Sequence, residues 1–447
     1  MRHIYFFTLL IITVLFSFYI GTVTGDTYPP GTLLTLTTGE PAEHNDSSAV
    51  DFEKEPVEEA EDKPEPDLRT VNLITTGNIM AAETQIRQAK TGVYQYDFTP
   101  SFEFIAPYLQ SADLVVGDLE VAQAGPDIVS AGWGVSGYTG FPEFNSPQEL
   151  SEALYDAGIN VFTLGNNHAL DRGLEGLMVT LDHIRSLGAK TIGAHKSWEE
   201  RNSPLIINAN GIKIALLAYT YGTNGIPVPE GHEYCVNLVP DFADITPVLE
   251  DIQAARENGA DLVAVFPHWG AEHSHEPQPQ RLRQVAAELA VAGADLIIGG
   301  HPKWIQPIEW FFNETEDGAE RATLAIYSQG SFLTHQYEGD GHNSIYSEFS
   351  LLLDLELTKN YDTGETWISD VDYEVSWTHR GWQHRVLLLS DIFAASPQEY
   401  NLSESRVDRF KNIHETSIAV VESYGHPGDM ERVMSISDRL FDKAYDN

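Results

Sequence analysis

The sequence predicts a layered α/β protein, and three observations carry that expectation. Short apolar runs recur along the chain, amphipathic helical stretches lie between several of them, and polar residues suited to chemistry fall just after the runs. Strand–helix alternation of this kind builds a sheet covered by helices. Ligands of open α/β sheets bind at the carboxyl ends of the strands, which is where these polar residues fall.

The runs are Val71–Thr76, Asp113–Gly117, Asn160–Gly165, Ile212–Tyr219, Leu262–Pro267, Asp295–Gly299 and Thr323–Tyr327. Each is short and bounded by glycine or polar residues, as buried strands are. Helices are predicted near 147–158, 174–188, 243–258 and 278–293. The helix near 147–158 has a start signal: Ser146 as N-cap, Pro147 at the first helical position and Glu149 at the third. Further on, Glu348–Thr358 and Trp367–His379 alternate apolar and polar residues with no helix between them, which predicts antiparallel strands completing a second sheet. From about residue 391 the chain reads as helical and polar.

Ahead of this body, Met1-Arg2-His3 is followed by an apolar run from Ile4 to Val23 with no charge until Asp26. The run has about the 20 residues that a helix needs to cross a bilayer. We expect an uncleaved anchor or, as the alternative, a signal peptide cleaved near Thr22–Gly25. Either places the body outside the cytoplasm. Glu40 to Leu68 carries twelve acidic residues and two lysines, and reads as an extended tether. The expected organisation is therefore residues 1–25 as anchor or signal peptide, 26–69 as acidic linker, 70–390 as the folded domain and 391–447 as a helical extension.

Composition narrows the function. The 447 residues include 67 Asp and Glu against 26 Lys and Arg, a net charge of −41, with 42 % hydrophobic residues. That apolar content builds a large core, and the acidity argues against a nucleic-acid partner, whose phosphates demand clustered Lys and Arg. The single cysteine, Cys235, excludes an intramolecular disulfide and a cysteine-ligated zinc cluster, and is expected in the core.

The polar residues recur at successive strand ends. They are Gly77-Asn78-Ile79-Met80, Gly117-Asp118-Leu119-Glu120, Asn166-Asn167-His168 with Asp171, His268-Trp269-Gly270-Ala271-Glu272, Gly300-His301-Pro302-Lys303 and Tyr327-Ser328-Gln329-Gly330. Imidazole, carboxylate and amide oxygen are the ligands of a divalent ion such as zinc, manganese or iron. A lone histidine after a strand is more often structural; three strand ends carrying one argue for a metal site.

In this order the motifs resemble the CapA (poly-γ-glutamate capsule synthesis) family from about Val71 to Phe332, and Tyr219–Gly225 adds to the resemblance. That family looks like a branch of the calcineurin-like metallophosphatases, which implies a four-layer α/β/β/α sandwich. Carried over by position, the resemblance implies Glu120 as a metal-bridging carboxylate, Asn167 as an amide ligand, and His268 and His301 as imidazole ligands. His168 would act on the leaving group or the phosphoryl oxygens, and Asp171 and Glu272 would orient the liganding histidines. The role of Asp118 stays open, because the family often has Asn there.

Two positions depart from the family. Asn78 stands where Asp is usual as a ligand, and Lys303 where a second His is usual. Both would serve the same ion, so we expect at most one divalent ion, with Lys303 either placing its ammonium at the lost site, where it can hold phosphate, or pointing to solvent. The expected reaction class is metal-assisted hydrolysis or transfer at a phosphoester, with an amide-directed reaction on a γ-glutamyl chain as a second option. The expected partners are membrane polymer-synthase subunits and an anionic polymer or phosphoester. The rival expectation is an accessory subunit that holds polymer or braces a synthase without chemistry. Trp133, Tyr138, Phe141 and Phe144 lie in a Gly-rich loop and either line a groove or pack locally, while His273 and His275 either flank the pocket or lie at the surface.

Overall fold

A computed structural model describes residues 66–446 apart from 277–280, 315–317, 319, 340–343 and 427. The expected anchor and nearly all of the acidic linker lie outside the described residues. Among the described residues, no helix is long and apolar enough to cross a membrane.

Sixteen strands are described. The first six are β1 (Leu68–Ile79), β2 (Lys90–Gly92), β3 (Gln95–Tyr96), β4 (Leu114–Leu119), β5 (Val161–Thr163) and β6 (Lys190–Ile192). There follow β7 (Leu205–Ala209), β8 (Ile212–Thr220), β9 (Leu262–His268), β10 (Leu296–Ile298), β11 (Ile308–Glu314) and β12 (Glu320–Ile326). The last four are β13 (Ser331–Leu333), β14 (Phe349–Asn360), β15 (Thr366–His379) and β16 (Arg385–Leu388). One sheet runs β16-β15-β14-β1-β4-β5-β6, with β13 also pairing to β1; a second runs β11-β12-β10-β9-β8-β7. All seven predicted runs are strands, and they supply the parallel centre of both sheets.

The two sheets share one core because side chains alternate across a strand. Val71, Leu73, Leu114 and Val116 of the first sheet and Ile214, Leu216, Leu262, Ala264 and Ile298 of the second belong to a single buried cluster. Their neighbours point the other way. Ile74, Val115 and Phe162 pack under the helices Glu83–Ala89, Glu149–Asp156 and Gly173–Ser186. Val263, Val265 and Ile297 pack under the helices Thr246–Glu257 and Arg281–Ala292. Helices therefore cover the outer faces of two facing sheets. Cys235 is fully buried, as expected.

Three expectations need correction. Phe349–Asn360 and Thr366–His379 do not complete a second sheet. They extend the first, because β14 lies antiparallel to β1 over the whole stretch from Leu68↔Asn360 to Thr75↔Leu353. Alternation reads a half-buried strand but not which edge it joins. Ser146 does not cap a helix. Its hydroxyl donates to the Ala81 carbonyl at 3.0 Å, and the helix begins at Glu149 after an uncapped Gln148. The C-terminal helices Glu404–Val421 and Asp429–Asp446 are not simply polar, since Val407, Phe410, Ile413, Val421 and Val433 join the core between the sheets.

Two glycines are required where chain meets chain near the strand ends. A Cβ at Gly77 would lie 2.3 Å from the Gly330 carbonyl oxygen, and one at Gly299 would lie 2.0 Å from that of Tyr327. Both contacts are far inside van der Waals limits, so only glycine lets these strand ends close on one another.

Candidate metal centre

The carboxyl ends of β1, β4, β5, β9 and β10 deliver their polar residues to one place. Asn78 and Asp118 are register partners in adjacent parallel strands, as are Asp118 and Thr163. On the other sheet, Thr220 pairs with His268, and His268 bridges to Gly300. The site thus forms where the ends of the two sheets converge.

Glu120 is its centre and is 0 % exposed. Its Oε2 accepts the Asn78 amide at 2.5 Å, and the Lys303 ammonium contacts both oxygens, at 2.5 Å for Oε1. His268 Nε2 lies 3.5 Å and His168 Nε2 3.9 Å from Oε1. Burial alone would raise the Glu120 carboxyl, but Lys303 and His268 outweigh it and hold the group well below the usual carboxylate range.

Potential ligand atoms of Glu120, His268 and His301 all lie within 4.8 Å of one another. Asn167 adds an amide oxygen 2.8 Å from His268 Nε2. His301 is buried, and among the described residues its Nδ1 has no hydrogen-bond partner. An orphaned imidazole nitrogen beside a carboxylate and a second imidazole is the pattern expected where a cation belongs, so the donor set fits a single divalent ion. Burial, followed by the positive charges of His268 and Lys303, keeps His301 neutral, the form that ligates.

Asp118, whose role the sequence left open, orients the site. Its Oδ2 pairs with His268 Nδ1 at 3.0 Å, and its Oδ1 accepts Thr163 Oγ1 at 2.7 Å and Asn166 Nδ2 at 3.2 Å. This turns His268 Nε2 toward Glu120 and Asn167. Burial would lower the His268 pKa, but Asp118 and Glu120 together push it up to about 9. Glu272 was expected to orient the histidines. It lies exposed at the cavity rim instead, because Asp118 already holds the nitrogen it would have met.

Asp171 orients a different histidine from those expected. Its Oδ2 meets His168 Nδ1 at 2.7 Å and accepts the Phe144 N–H at 2.6 Å, leaving His168 Nε2 toward Glu120. Burial raises the Asp171 pKa, against the pull of His168. Asn78 turns its amide nitrogen to Glu120, and its oxygen accepts the His301 N–H at 3.4 Å. Lys303 does not point to solvent, being 1 % exposed.

The site opens into a cavity of about 480 Å3 whose lining includes Phe141, Phe144, Asn167, His168, Tyr221, Asn224, Glu272, His301, Lys303 and His335. Of the aromatic loop residues, Phe141 and Phe144 reach the cavity, Tyr138 packs edge-on to Tyr96, and Trp133 is exposed. His273 bonds Gln336 at the rim, while His275 packs between Trp304 and Tyr346. A larger cavity of about 920 Å3 lies by β6 and β7, but its Arg185 and Arg201 are paired with Glu200 and Asp251.

Sequence reasoning missed what holds the aromatic loop. The Arg172 guanidinium donates to the Ile128 and Val135 carbonyls and to Thr139 Oγ1, and Glu143 accepts the Gly132 and Trp133 N–H groups. A long loop without regular structure needs such ties, and the arginine next to Asp171 was the available signal.

A carboxylate, two imidazoles and an amide converging at the strand ends of two facing sheets define a candidate metal centre of α/β type. The sequence profile of the bacterial capsule synthesis protein PGA_cap family matches residues 72–336, and the chain belongs to that family. It is 26 % identical over 270 residues to the capsule biosynthesis protein CapA of Bacillus anthracis, covering 60 % of each chain. It is 27 % identical over 201 residues to a Mycobacterium tuberculosis protein named "probable polyglutamine synthesis accessory protein", covering 43 % of this chain and 50 % of that one. The chain thus spans little more than half the length of these relatives. Among solved structures, the calcineurin-like phosphoesterase YfkN of Bacillus subtilis is similar at 16 % identity and a TM-score of 0.35, over 69 % of this chain and 90 % of that one.

Proposed function

We propose that this chain is a CapA-like protein of capsule or poly-γ-glutamate synthesis, held at the outer face of the cell membrane by its Ile4–Val23 run and carrying a metal-dependent hydrolase or transferase site. The observation that supports the site most strongly is the convergence of Glu120, Asn167, His268 and His301 beside the His168–Asp171 pair. Those four residues would hold a divalent ion, manganese, iron or zinc, which would supply Lewis acidity toward a phosphoryl or carbonyl oxygen.

The chain's own groups do the rest. Asp118 holds His268 by Nδ1, so that Nε2 faces the site. Asp171 holds His168 with its other nitrogen toward the cavity, poised to give a proton to a leaving oxygen. Asn167 donates to Asn224 at 3.0 Å, which fixes its oxygen toward His268. The aromatic wall of Phe141, Phe144 and Tyr221 restricts water around a bound substrate. An anionic polymer fits the cavity better than the acidic surface as a whole, because the lining sets the Lys303 ammonium and imidazole and amide hydrogen-bond donors against the single exposed carboxylate of Glu272.

The test is metal content of the full-length protein in detergent, purified without chelator, for wild type and His268→Ala. A metal ion present in the first and lost in the second supports the reading. No metal, even after loading with manganese, iron and zinc, refutes it.

The name of the mycobacterial relative, an accessory protein, favours a second reading, an accessory subunit that holds polymer or braces a membrane synthase without chemistry. Polymer synthesis then survives His168→Ala; on the first reading it does not.

A further inference from the structure

We infer that Lys303 is the resident cation of this site: its ammonium fills the Asn78 side of Glu120, leaving the carboxylate to a metal ion only on the His268 side, and its removal opens a second cation site. The inference rests on the metal reading above and deepens it by fixing the number of ions and the state of the pocket without them.

The two sides of Glu120 differ in kind. Through Oε1 it faces His168 and His268, and the Asn167 oxygen meets the same His268 nitrogen, so these groups can share a cation with it. Oε2 meets hydrogen donors, the Asn78 amide and the Lys303 ammonium, which also reaches Oε1 at 2.5 Å and has the Met80 sulfur 3.3 Å from its Nζ. Asn78 turns its amide nitrogen to Glu120, and its oxygen accepts the His301 N–H at 3.4 Å with a second lone pair left over. A second divalent ion on that side would meet an ammonium already touching the same carboxylate.

The backbone is built to place that ammonium. His301 and Lys303 both have positive φ, 95° and 66°, within three residues. Non-glycine residues hold such angles only where the surroundings over-determine them. Here Ser331 Oγ donates to the Lys303 carbonyl at 3.2 Å, and Ser331 is the β13 register partner of Asn78. One turn therefore brings an imidazole within 4.8 Å of the potential ligand atoms of Glu120 and His268 and sets an ammonium on Glu120 itself.

A fully buried carboxylate needs a counter-charge, and this chain supplies it covalently. The pocket is thus formed before any metal arrives. A lysine replaced by an apolar chain of similar length leaves Glu120 unpaired, with room beside it for an ion.

The experiment compares full-length wild type, Lys303→Met and Lys303→His by metal content and by thermal unfolding, in chelator and with manganese. Wild type is expected to hold one ion and to keep its folded state in chelator. Lys303→Met is expected to lose roughly 10 °C of Tm in chelator, regain most of it with manganese, and hold one ion more than wild type. If Lys303→Met does not fold, Lys303→His carries the same expectation of an added ion. Two ions in wild type, or no added ion in either variant, overturn the inference. A wild type holding no ion refutes the metal reading alone; a count rising from zero to one on Lys303→Met or Lys303→His still supports the role of Lys303, and zero in both overturns it.

Discussion

The Asp118 carboxylate and the His268 imidazole meet at 3.0 Å across the junction of the two sheets, and this contact sets which nitrogen of His268 faces the site. A carboxylate behind a liganding histidine is worth roughly 10–100-fold in metal affinity. Asp118→Ala is therefore expected to weaken binding by that factor without emptying the site, while Asp118→Asn, which keeps an acceptor for His268 Nδ1, loses less. Competition against a chelator of known affinity measures both.

His168 and Asp171 form a second oriented pair, at 2.7 Å, that does not include the three clustered ligands. His168→Ala is expected to lower the turnover of polymer or phosphoester by roughly 10²–10⁴-fold, as loss of a general acid does. Metal content stays at the wild-type value. Equal loss of metal and turnover would make His168 a ligand instead.

Arg172 ties the loop between Gly125 and Asn145 by two backbone carbonyls and one hydroxyl. Leaving a buried acceptor unpaired costs about 1–3 kcal/mol. Arg172→Ala is expected to cost roughly that much in stability and to speed amide exchange at Ser130 and Gly137, leaving β9 protected. Unchanged exchange in the loop would show that Glu143 and Asn145 hold it alone.

Burial keeps three histidines away from the site neutral, lowering His195 and His379 to about 4 and His384 to about 3. Each starts from 6.5 in the unfolded chain, so between those values only the unfolded state takes up protons. Their neutral burial is harmless above pH 6.5 and costs increasing stability as pH falls toward 4. Tm is expected to drop over that interval, and His384→Gln to drop less. Equal slopes for wild type and variant in thermal unfolding from pH 7.5 to 4.5 would contradict this.

The parallel strands were legible because each is a short apolar run with a glycine or polar stop, and the chemistry sits at those stops. Asn78, Glu120, Asn167, His168, His268, His301 and Lys303 all lie in strand-end motifs, and the family resemblance carried by those motifs singled them out; one topology brings the ends together. Edge assignments were not legible. β14 reads as a half-buried strand whether it joins β1 or the other sheet, and only the register from Leu68↔Asn360 onward decides it. Second partners were hidden for a similar reason. Glu272 follows His268 closely in sequence, but the orienting carboxylate is Asp118, 150 residues away in the chain. The fate of Lys303 turned on a positive φ, which a lysine in the sequence does not announce.

The central claim is a single ion beside Glu120, bounded by Asn167, His268 and His301. Anomalous diffraction at the manganese edge from crystals of the manganese-loaded protein tests it directly. The account predicts one peak, in contact with His268 Nε2 and on the side of Glu120 away from Lys303. No peak at that position, or a peak between Glu120 and Lys303, would contradict it.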